Sequence, residues 1–438
     1  MNKALTRIIA ITVAAITMVS GCECKHHGPD NGISYNKVMI LYSAGYNSLS
    51  SYLREDIEDM KTGYLPAKND GNALLVVSHL SKTNSDFTTP SSPVILRMYK
   101  DKKKGARVDT VATYPYDKKL SEASDLNDIL STIQKQYPAR HYGMVFSSHS
   151  TGWVPKGYYG DPGRYDSKPF GAKSQSAGLS RILPEGAVPY VEPEEIPGAP
   201  AVKSFGMTNA RTETQTISYE MDLPEFVSSI PMHLDYLILD ACLAGGIEVA
   251  YQMRNTCDVI CFSQAEVLAE GLDYTTLASH LLEHDSDVVS VADDYYQQYM
   301  AKTDLNERAA TMSVIDCARL DDVAACCKLL FKKYKDNIAA LNPRKVQQFF
   351  RYSKHWYYDL EDVLVKAGMD SEEKRLLESA IDGSILYKAA TESFLKNFEG
   401  FDINTYSGFS MYLPCNGSNY LNSFYKTLDW NKATELVD

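Results

Sequence analysis

Little in this chain favours a polyanionic partner. Its 438 residues carry 44 Lys and Arg against 56 Asp and Glu, a formal net charge of -12, which argues against nucleic acid as the main partner. The one basic run, Lys100-Asp101-Lys102-Lys103-Lys104, reads as a solvated hairpin tip. No internal repeat is visible, and beyond the N-terminus no apolar run is long enough to span a bilayer. Nor do the nine cysteines form a regular framework. Apart from Cys22 and Cys242, treated below, there remain Cys24, Cys257, Cys261, Cys317, Cys326, Cys327 and Cys415, an odd set with irregular spacing. They read mostly as small buried hydrophobes. The rest of the composition is that of a globular protein, 44% hydrophobic and 23% charged with 30 tyrosines, long enough to bury one large core or two smaller ones.

The first 22 residues point to export. Lys3 and Arg7 precede an apolar stretch at 8–19 broken only by Thr12 and Thr17, and Ser20-Gly21-Cys22 follows. A basic start, a short apolar stretch and small residues make a secretory signal, too short for a stable membrane span. The small-small-Cys ending resembles a bacterial lipoprotein signal. That resemblance implies removal of residues 1–21 and a lipid on Cys22 that anchors the protein to a membrane of the cell envelope, at the periplasmic or outer surface. A plain secretory signal with an incidental cysteine is the other reading. Residues 22–36 are polar, with Gly28, Pro29 and Gly32, and read as a tether, in which His26 and His27 make no metal site.

From Lys37 onward, apolar runs alternate with amphipathic segments, which favours an α/β fold. Strands are predicted at 38–43, 73–79, 94–99, 143–148, 234–239 and 259–263. These runs are nearly continuous in apolar residues, as in parallel strands covered on both faces. Helical periodicity marks 48–60, 123–136 and 246–254. Residues 37–286 then form one domain, and 287–438 a mostly helical C-terminal part, with helices predicted at 287–301, 321–341, 344–367 and 372–398 and a late strand at 406–413. The segment 155–215 breaks the pattern: it is rich in Gly and Pro and dotted with Lys156, Arg164, Lys168, Lys173, Arg181, Lys203 and Arg211. Long aperiodic loops in compact domains tend to be functional or disordered. A lid, a cleavable activation loop and surface elaboration all fit.

Two of the predicted strands stop at reactive side chains. Phe146-Ser147-Ser148-His149-Ser150-Thr151-Gly152-Trp153 delivers an imidazole, and Leu237-Ile238-Leu239-Asp240-Ala241-Cys242-Leu243-Ala244-Gly245-Gly246 delivers a thiol. As neighbouring parallel strands, about 4.8 Å apart, they would present His149 and Cys242 at one sheet edge, where open α/β sheets bind ligands. A nucleophile beside a base is the minimum equipment for covalent hydrolysis. The helix predicted after Cys242 would stabilise a thiolate, and His149 would hold it as an ion pair or protonate a leaving amine. Backbone N–H groups around Ser150–Gly152 and at Cys242 are placed to donate to an oxyanion. Asp240, two residues before the thiol, either lines a pocket for a basic side chain or orders the loop. Ser150 has no Gly-x-Ser-x-Gly elbow around it and is a poor nucleophile candidate. His79, His233, His280 and His284 have no nucleophile or acidic cluster beside them, and His355, on a predicted helix, reads as packing.

These segments resemble the clostripain-type (C11-like) cysteine peptidases, relatives of caspases, legumains and gingipains. The resemblance runs through most of the chain: 38–47, the His segment 144–153, the Cys segment 235–254 with Asp240-Ala241-Cys242-Leu243 and Glu248-Val249-Ala250-Tyr251, then Ser263-Gln264-Ala265-Glu266, Gly271 and Tyr274, and finally 356–363 and 408–414. It implies a caspase-like three-layer sandwich with a mostly parallel sheet, and a His149/Cys242 dyad cleaving protein or peptide substrates after Arg or Lys. It also implies self-cleavage in the 155–215 loop and assigns Asp240 to the basic-residue pocket. The family often has Gly after the catalytic His, where this chain has Ser150; a left-handed backbone there would cost a non-glycine residue on the order of 1 kcal/mol. No cofactor is expected. Some relatives need calcium, but no dense run of acidic ligands is spaced for a dedicated site, so a calcium requirement is left open. The expected protein is an envelope-anchored cysteine endopeptidase. A surface lipoprotein using the fold for binding with an inert dyad is the alternative, as is a peptidase with another P1 preference.

Overall fold

The computed structural model describes residues 34–83, 86–116, 118–167, 169–171, 187–189, 199–202, 208–211, 216–283, 285–352 and 355–438. The signal segment, Cys22, Cys24 and the tether up to residue 33 lie outside these, as do Lys168, Lys173, Arg181 and Lys203 of the long loop.

The strands, in chain order, are β1 (Tyr35–Gly45), β2 (Asn72–Thr83), β3 (Asp86–Pro90), β4 (Val94–Asp101), β5 (Gly105–Thr113), β6 (Ala139–Ser147), β7 (Ala187–Pro189), β8 (Thr208–Arg211), β9 (Thr216–Tyr219), β10 (Leu234–Asp240), β11 (Cys257–Phe262), β12 (Thr311–Asp316), β13 (Tyr358–Asp359), β14 (Ile385–Ala390), β15 (Ser393–Phe394), β16 (Phe401–Asp402) and β17 (Ser410–Met411). Ten of them form one sheet in the order β14-β12-β11-β10-β6-β1-β2-β4-β5, with β3 paired to β2. The middle of that sheet, β2-β1-β6-β10-β11, is parallel throughout. Antiparallel strands flank it on both sides, β3, β4 and β5 beyond β2 and β12 and β14 beyond β11. Consecutive residues of β1 and β2 are buried rather than alternate ones, because helices cover both faces.

The helices are α1 (Ser50–Thr62), α2 (Ala123–Gln136), α3 (Pro162–Asp166), α4 (Leu223–Ser228), α5 (Ile247–Met253), α6 (Tyr274–Ala278), α7 (Val288–Met300), α8 (Leu320–Ala339), α9 (Leu360–Lys366), α10 (Ser371–Asp382), α11 (Asn419–Tyr425) and α12 (Asp429–Thr434). The chain moves one way from β1 through α1 to β2, then back past β1 through α2 to β6, and onward through α4 and α5 to β10 and β11. Right-handed crossovers therefore put α1 on one face and α2, α4 and α5 on the other. The packing agrees: α1 lies against α6, while α2, α4, α5, α12 and α8 touch in succession. This is the expected three-layer α/β sandwich.

The predicted strands all form, and helix 123–136 is matched residue for residue. Several expectations need correction. The strand at 94–99 is antiparallel to its neighbours, and its basic tip is a β4–β5 turn in which Asp101 Oδ1 accepts from the amides of Lys103 and Lys104 at 2.8 and 2.9 Å. The 344–367 helix shrinks to α9. Ahead of it, Phe349 N donates to Tyr357 O at 3.0 Å and Asp359 N to Gln347 O at 2.9 Å, so a run of buried aromatics is spent on a tight crossing of two extended segments. His355 lies in this crossing, not on a helix; it is buried against the Tyr358 ring and bonds Gln348 at 3.1 Å. The 372–398 helix stops at Asp382, and after Gly383-Ser384 the period-two exposure of Ile385–Ala390 makes a strand. The late strand reduces to β17, paired with β13. With β12 and β14 in the main sheet, the C-terminal part continues the first part's architecture. Among the described cysteines five are buried and none is bonded to another.

Candidate active site

The sheet reverses direction between β1 and β6, the switch point where parallel α/β sheets open a crevice at the strand carboxyl ends. His149 follows β6 there, and Cys242 follows β10, the next strand over. The register fixes their relation. Ser147 pairs with Asp240 as the last residues of the two strands, and their side chains are joined, Ser147 Oγ donating to Asp240 Oδ2 at 2.8 Å. His149 and Cys242 each come two residues later. The loops then touch through backbone. Gly152 has φ +60° and Leu243 φ +57°, and a Cβ on Gly152 would run into the Leu243 carbonyl oxygen. Glycine is needed at 152 for both reasons. Ser150 is not among the left-handed residues, so the feared cost there does not arise; the left-handed turn falls on Gly152 and, unusually for a buried leucine, on Leu243.

The imidazole of His149 is buried, and its Nε2 lies 3.2 Å from Ser48 Oγ in the loop after β1. Ser148 Oγ donates to Ala44 O at 2.6 Å, pinning the His segment to β1. Ser150 Oγ accepts from Gly152 N at 2.9 Å, which takes one of the amides considered for an oxyanion. Farther on, Tyr357 OH donates to Thr151 O at 2.8 Å, and Trp153 stacks edge-on against Tyr412 and Tyr425 with ring centres 4.7 and 5.1 Å away.

The thiol is seated differently from expectation. α5 begins only at Ile247, five residues after Cys242, because the left-handed Leu243 and the extended Gly246 (φ -80°, ψ 142°) intervene. The sulfur therefore does not sit at a helix N-terminus. Its amide donor is Val267 N, at 3.2 Å from Sγ. The Cys loop hooks onto the same downstream segment, Leu243 N donating to Ala265 O at 2.9 Å and Gly245 N to Ser263 O at 2.7 Å. Ser263 and Ala265 are in turn tied to Thr311 Oγ1 at 2.8 and 3.0 Å, and Ser410 N donates to Gly245 O at 2.8 Å. Cys242 is 2% exposed.

Asp240 is 1% exposed, and its Oδ2 accepts also from Tyr274 OH at 2.6 Å. Tyr295 and Tyr299 of α7 lie within reach of its charge; burial first, then Asp240, pushes their hydroxyls well above the ordinary tyrosine range, as burial, Tyr295 and Asp240 do for Tyr299.

Several residues in the surroundings were given no site role by the sequence. Glu266 and Arg351 form a buried bidentate pair, Nε to Oε2 at 2.6 Å and Nη2 to Oε1 at 3.0 Å, both side chains 4% exposed. Tyr159, at the start of the long loop, feels burial first and then the charges of Glu266, Tyr352 and Cys242, which raise its hydroxyl. A later part of that loop also reaches this region: Val202 bridges antiparallel to Leu268, and Ala269 N donates to Ala201 O at 2.8 Å, immediately after the amide that holds the sulfur. Glu248, on an otherwise apolar helix face, is fully buried; Oε1 accepts from Tyr412 N at 2.8 Å and Tyr425 OH at 2.7 Å. Its place in the Cys segment was visible in the sequence, but its partners lie more than 160 residues away. Among the described residues no cluster of three or more His, Cys, Asp or Glu is placed to hold a metal ion, and no helix is long and apolar enough to cross a membrane.

A three-layer α/β sandwich with these loops at its switch point defines a cysteine peptidase of caspase-like fold. The chain belongs to the clostripain family, peptidase family C11, whose model matches residues 41–164 and 213–437. It is similar in fold to an inactive zymogen C11 protease from Parabacteroides distasonis, with a TM-score of 0.70 and 24% identity over 92% of this chain and 98% of that one. A secreted C11 cysteine protease from Bacteroides thetaiotaomicron, solved with an irreversible peptide inhibitor, gives 0.67 and 21% over 92% and 99%. A second structure of a secreted C11 protease from that organism, iotapain, gives 0.67 and 19% over 92% and 100%. No curated protein sequence matches the chain significantly.

Proposed function

We propose that this cysteine peptidase is an envelope-anchored endopeptidase that cuts after Arg or Lys, with Cys242 as nucleophile and His149 as its acid–base partner. The observation that carries the reading is the Ser147–Asp240 pairing, which sets the two reactive residues level at the ends of adjacent strands. In the reaction, the Cys242 thiolate attacks the scissile carbonyl carbon and a C–S bond forms. His149 passes a proton to the leaving amine as the C–N bond breaks. Water, deprotonated by His149, then hydrolyses the thioester and returns the thiol. Val267 N–H donates to the sulfur at 3.2 Å, a bond that strengthens on a thiolate, while the thiol donates to Val267 O at 3.6 Å. Asp240 supplies a buried negative charge beside the dyad, suited to the cationic end of a P1 side chain.

We further infer a latent form. His149 and Cys242 are 5% and 2% exposed, and two parts of the 155–215 connection approach the Cys242 loop, Tyr159 through its electrostatic interaction with the sulfur and Ala201-Val202 through their pairing with 268–269. Cutting that connection after one of its basic residues would free the crevice. Export and lipidation at Cys22 rest on the basic, apolar and small-small-Cys order of the N-terminus.

The test compares the wild-type chain with Cys242→Ala on fluorogenic peptides ending in Arg, Lys and uncharged residues, followed by intact mass spectrometry of both preparations from a lipidating bacterial host. The variant should lose hydrolysis by at least about a thousandfold while keeping its fold. Wild type should start at a lipid-modified Cys22 and carry a nick between 155 and 215 that the variant lacks. Full activity in Cys242→Ala would remove the dyad. An active wild-type chain without a nick would remove the latent form, and an unmodified N-terminus the anchor.

A further inference from the structure

The Glu266–Arg351 pair stands where the reaction described above has no stated use for it. Burying two charges is costly, and a buried pair often stabilises a fold less than apolar residues of the same volume. Its presence therefore points to a task other than stability. Its position suggests the task. Glu266 immediately precedes Val267, whose amide donates to Cys242 Sγ at 3.2 Å. Arg351 comes from 85 residues farther along the chain and grips Glu266 with two of its nitrogens, at 2.6 and 3.0 Å. Its third nitrogen, Nη1, is buried without a hydrogen-bond partner among the described residues. The guanidinium also lies against the ring of Tyr352 at 5.6 Å. Burial works against its charge, while Glu266, Tyr352 and the Cys242 sulfur favour it. Arg351 and the sulfur, both buried, thus lie close enough for their charges to interact in surroundings where charges act strongly.

We propose that the Glu266–Arg351 pair is the positioning element for the Cys242 sulfur: its fork fixes the Val267 amide on Sγ, and the balance of its two charges sets how readily the thiol ionises. The inference rests on Cys242 being the nucleophile. By this reading, the C-terminal part completes the site by delivering a cation to it, with Arg351 acting through Glu266 and Val267 rather than on substrate.

A charge-setting pair makes a prediction that a merely structural one does not. In Arg351→Met the Glu266 carboxylate is left uncompensated beside the sulfur and disfavours the thiolate. In Glu266→Gln the guanidinium is left uncompensated and favours it. The measurement is the pH dependence of iodoacetamide incorporation at Cys242, followed by peptide mass spectrometry between pH 5.5 and 9. Arg351→Met should react about tenfold more slowly than wild type at neutral pH, and Glu266→Gln should reach half-maximal reactivity at lower pH than wild type, since an opposite charge close by moves ionisation by about one unit or more. The double variant should return toward the wild-type profile. Arg351→Lys keeps a charge but loses the fork; it guards against a misfolded Met variant and should give a smaller shift in the same direction as Arg351→Met. If both single variants move the same way, or neither moves, the pair is structural only and the proposal falls. Retained hydrolysis by Cys242→Ala would instead sink the dyad itself, whatever the alkylation profiles show.

Discussion

Replacing Glu248 by Gln should make the protein more stable above neutral pH and leave it nearly unchanged in mild acid. The carboxyl is fully buried; burial pushes it up from 4.5 to about 7, against the lowering effect of the Tyr412 amide and the Tyr425 hydroxyl. Both of those donors use Oε1. Oε2 has no hydrogen-bond partner among the described residues and lies near Gly246, where a Cβ would stand 2.8 Å from it. Gln can keep its carbonyl oxygen at the Oε1 position and place its neutral amide at the other. The sign follows from proton uptake. Between the unfolded value near 4.5 and the folded value near 7, the folded chain holds a proton that the unfolded chain has released, so stability falls as pH rises through this window. A shift of that size is worth about 3 kcal/mol, mostly lost between pH 5 and 7. Asp359, raised by burial to about 6, adds a slope of the same sign, so the quantity to read is the difference between wild type and variant. Urea unfolding at pH 5, 6, 7 and 8, with equal m values as the check on two-state behaviour, should show the curves together at pH 5. By pH 8 Glu248→Gln should lead by roughly 2–3 kcal/mol. Parallel curves, or a variant weaker at pH 8, would show that Glu248 titrates normally or that Oε2 has a partner essential to the fold.

Two further outcomes are expected. Gly152→Ala combines a left-handed backbone with a collision at the Leu243 carbonyl; it should cost about 2 kcal/mol or more in thermal or urea unfolding and reduce hydrolysis further than the stability loss explains, and a neutral result would mean the two loops are not in contact. Asp240→Asn should lower kcat/KM on Arg- and Lys-ended peptides by tenfold or more while sparing uncharged ones; undiminished cleavage of Arg peptides would leave Asp240 only its tie to Ser147 and Tyr274.

The parallel core was legible because continuous apolar runs such as Met39–Leu41 and Leu74–Val77 have one physical meaning when helical segments alternate with them. The two strand-end segments were legible because each such run ends close to a reactive side chain, His149 or Cys242. What stayed hidden depends on partners distant in sequence. Nothing near Arg351 announces that it will meet Glu266, and nothing near Cys242 says that its amide donor is Val267. The helix expected at 344–367 failed because Phe349, Phe350, Trp356, Tyr357 and Tyr358 are buried on every side, so their spacing carries no single face. The strand β14 was lost inside a longer helical reading because only Gly383 and Ser384 mark the change. Expecting a helix dipole behind the thiol was a matter of distance along the chain: the left-handed turn at Leu243 uses the residues that an immediate helix would need.

The connection between the His149 and Cys242 segments leaves β6 and returns to β10, and these are adjacent strands in the middle of the sheet. A break anywhere between Trp153 and β10 severs the chain but not the molecule. The two fragments would still share the hydrogen bonds from Tyr236–Gly143 to Asp240–Ser147, and the Trp153 ring of one would stay clasped by Tyr412 and Tyr425 of the other. Separating them would strip the core bare, so the protein is topologically suited to live as a permanently paired light and heavy chain, with imidazole on one and thiol on the other.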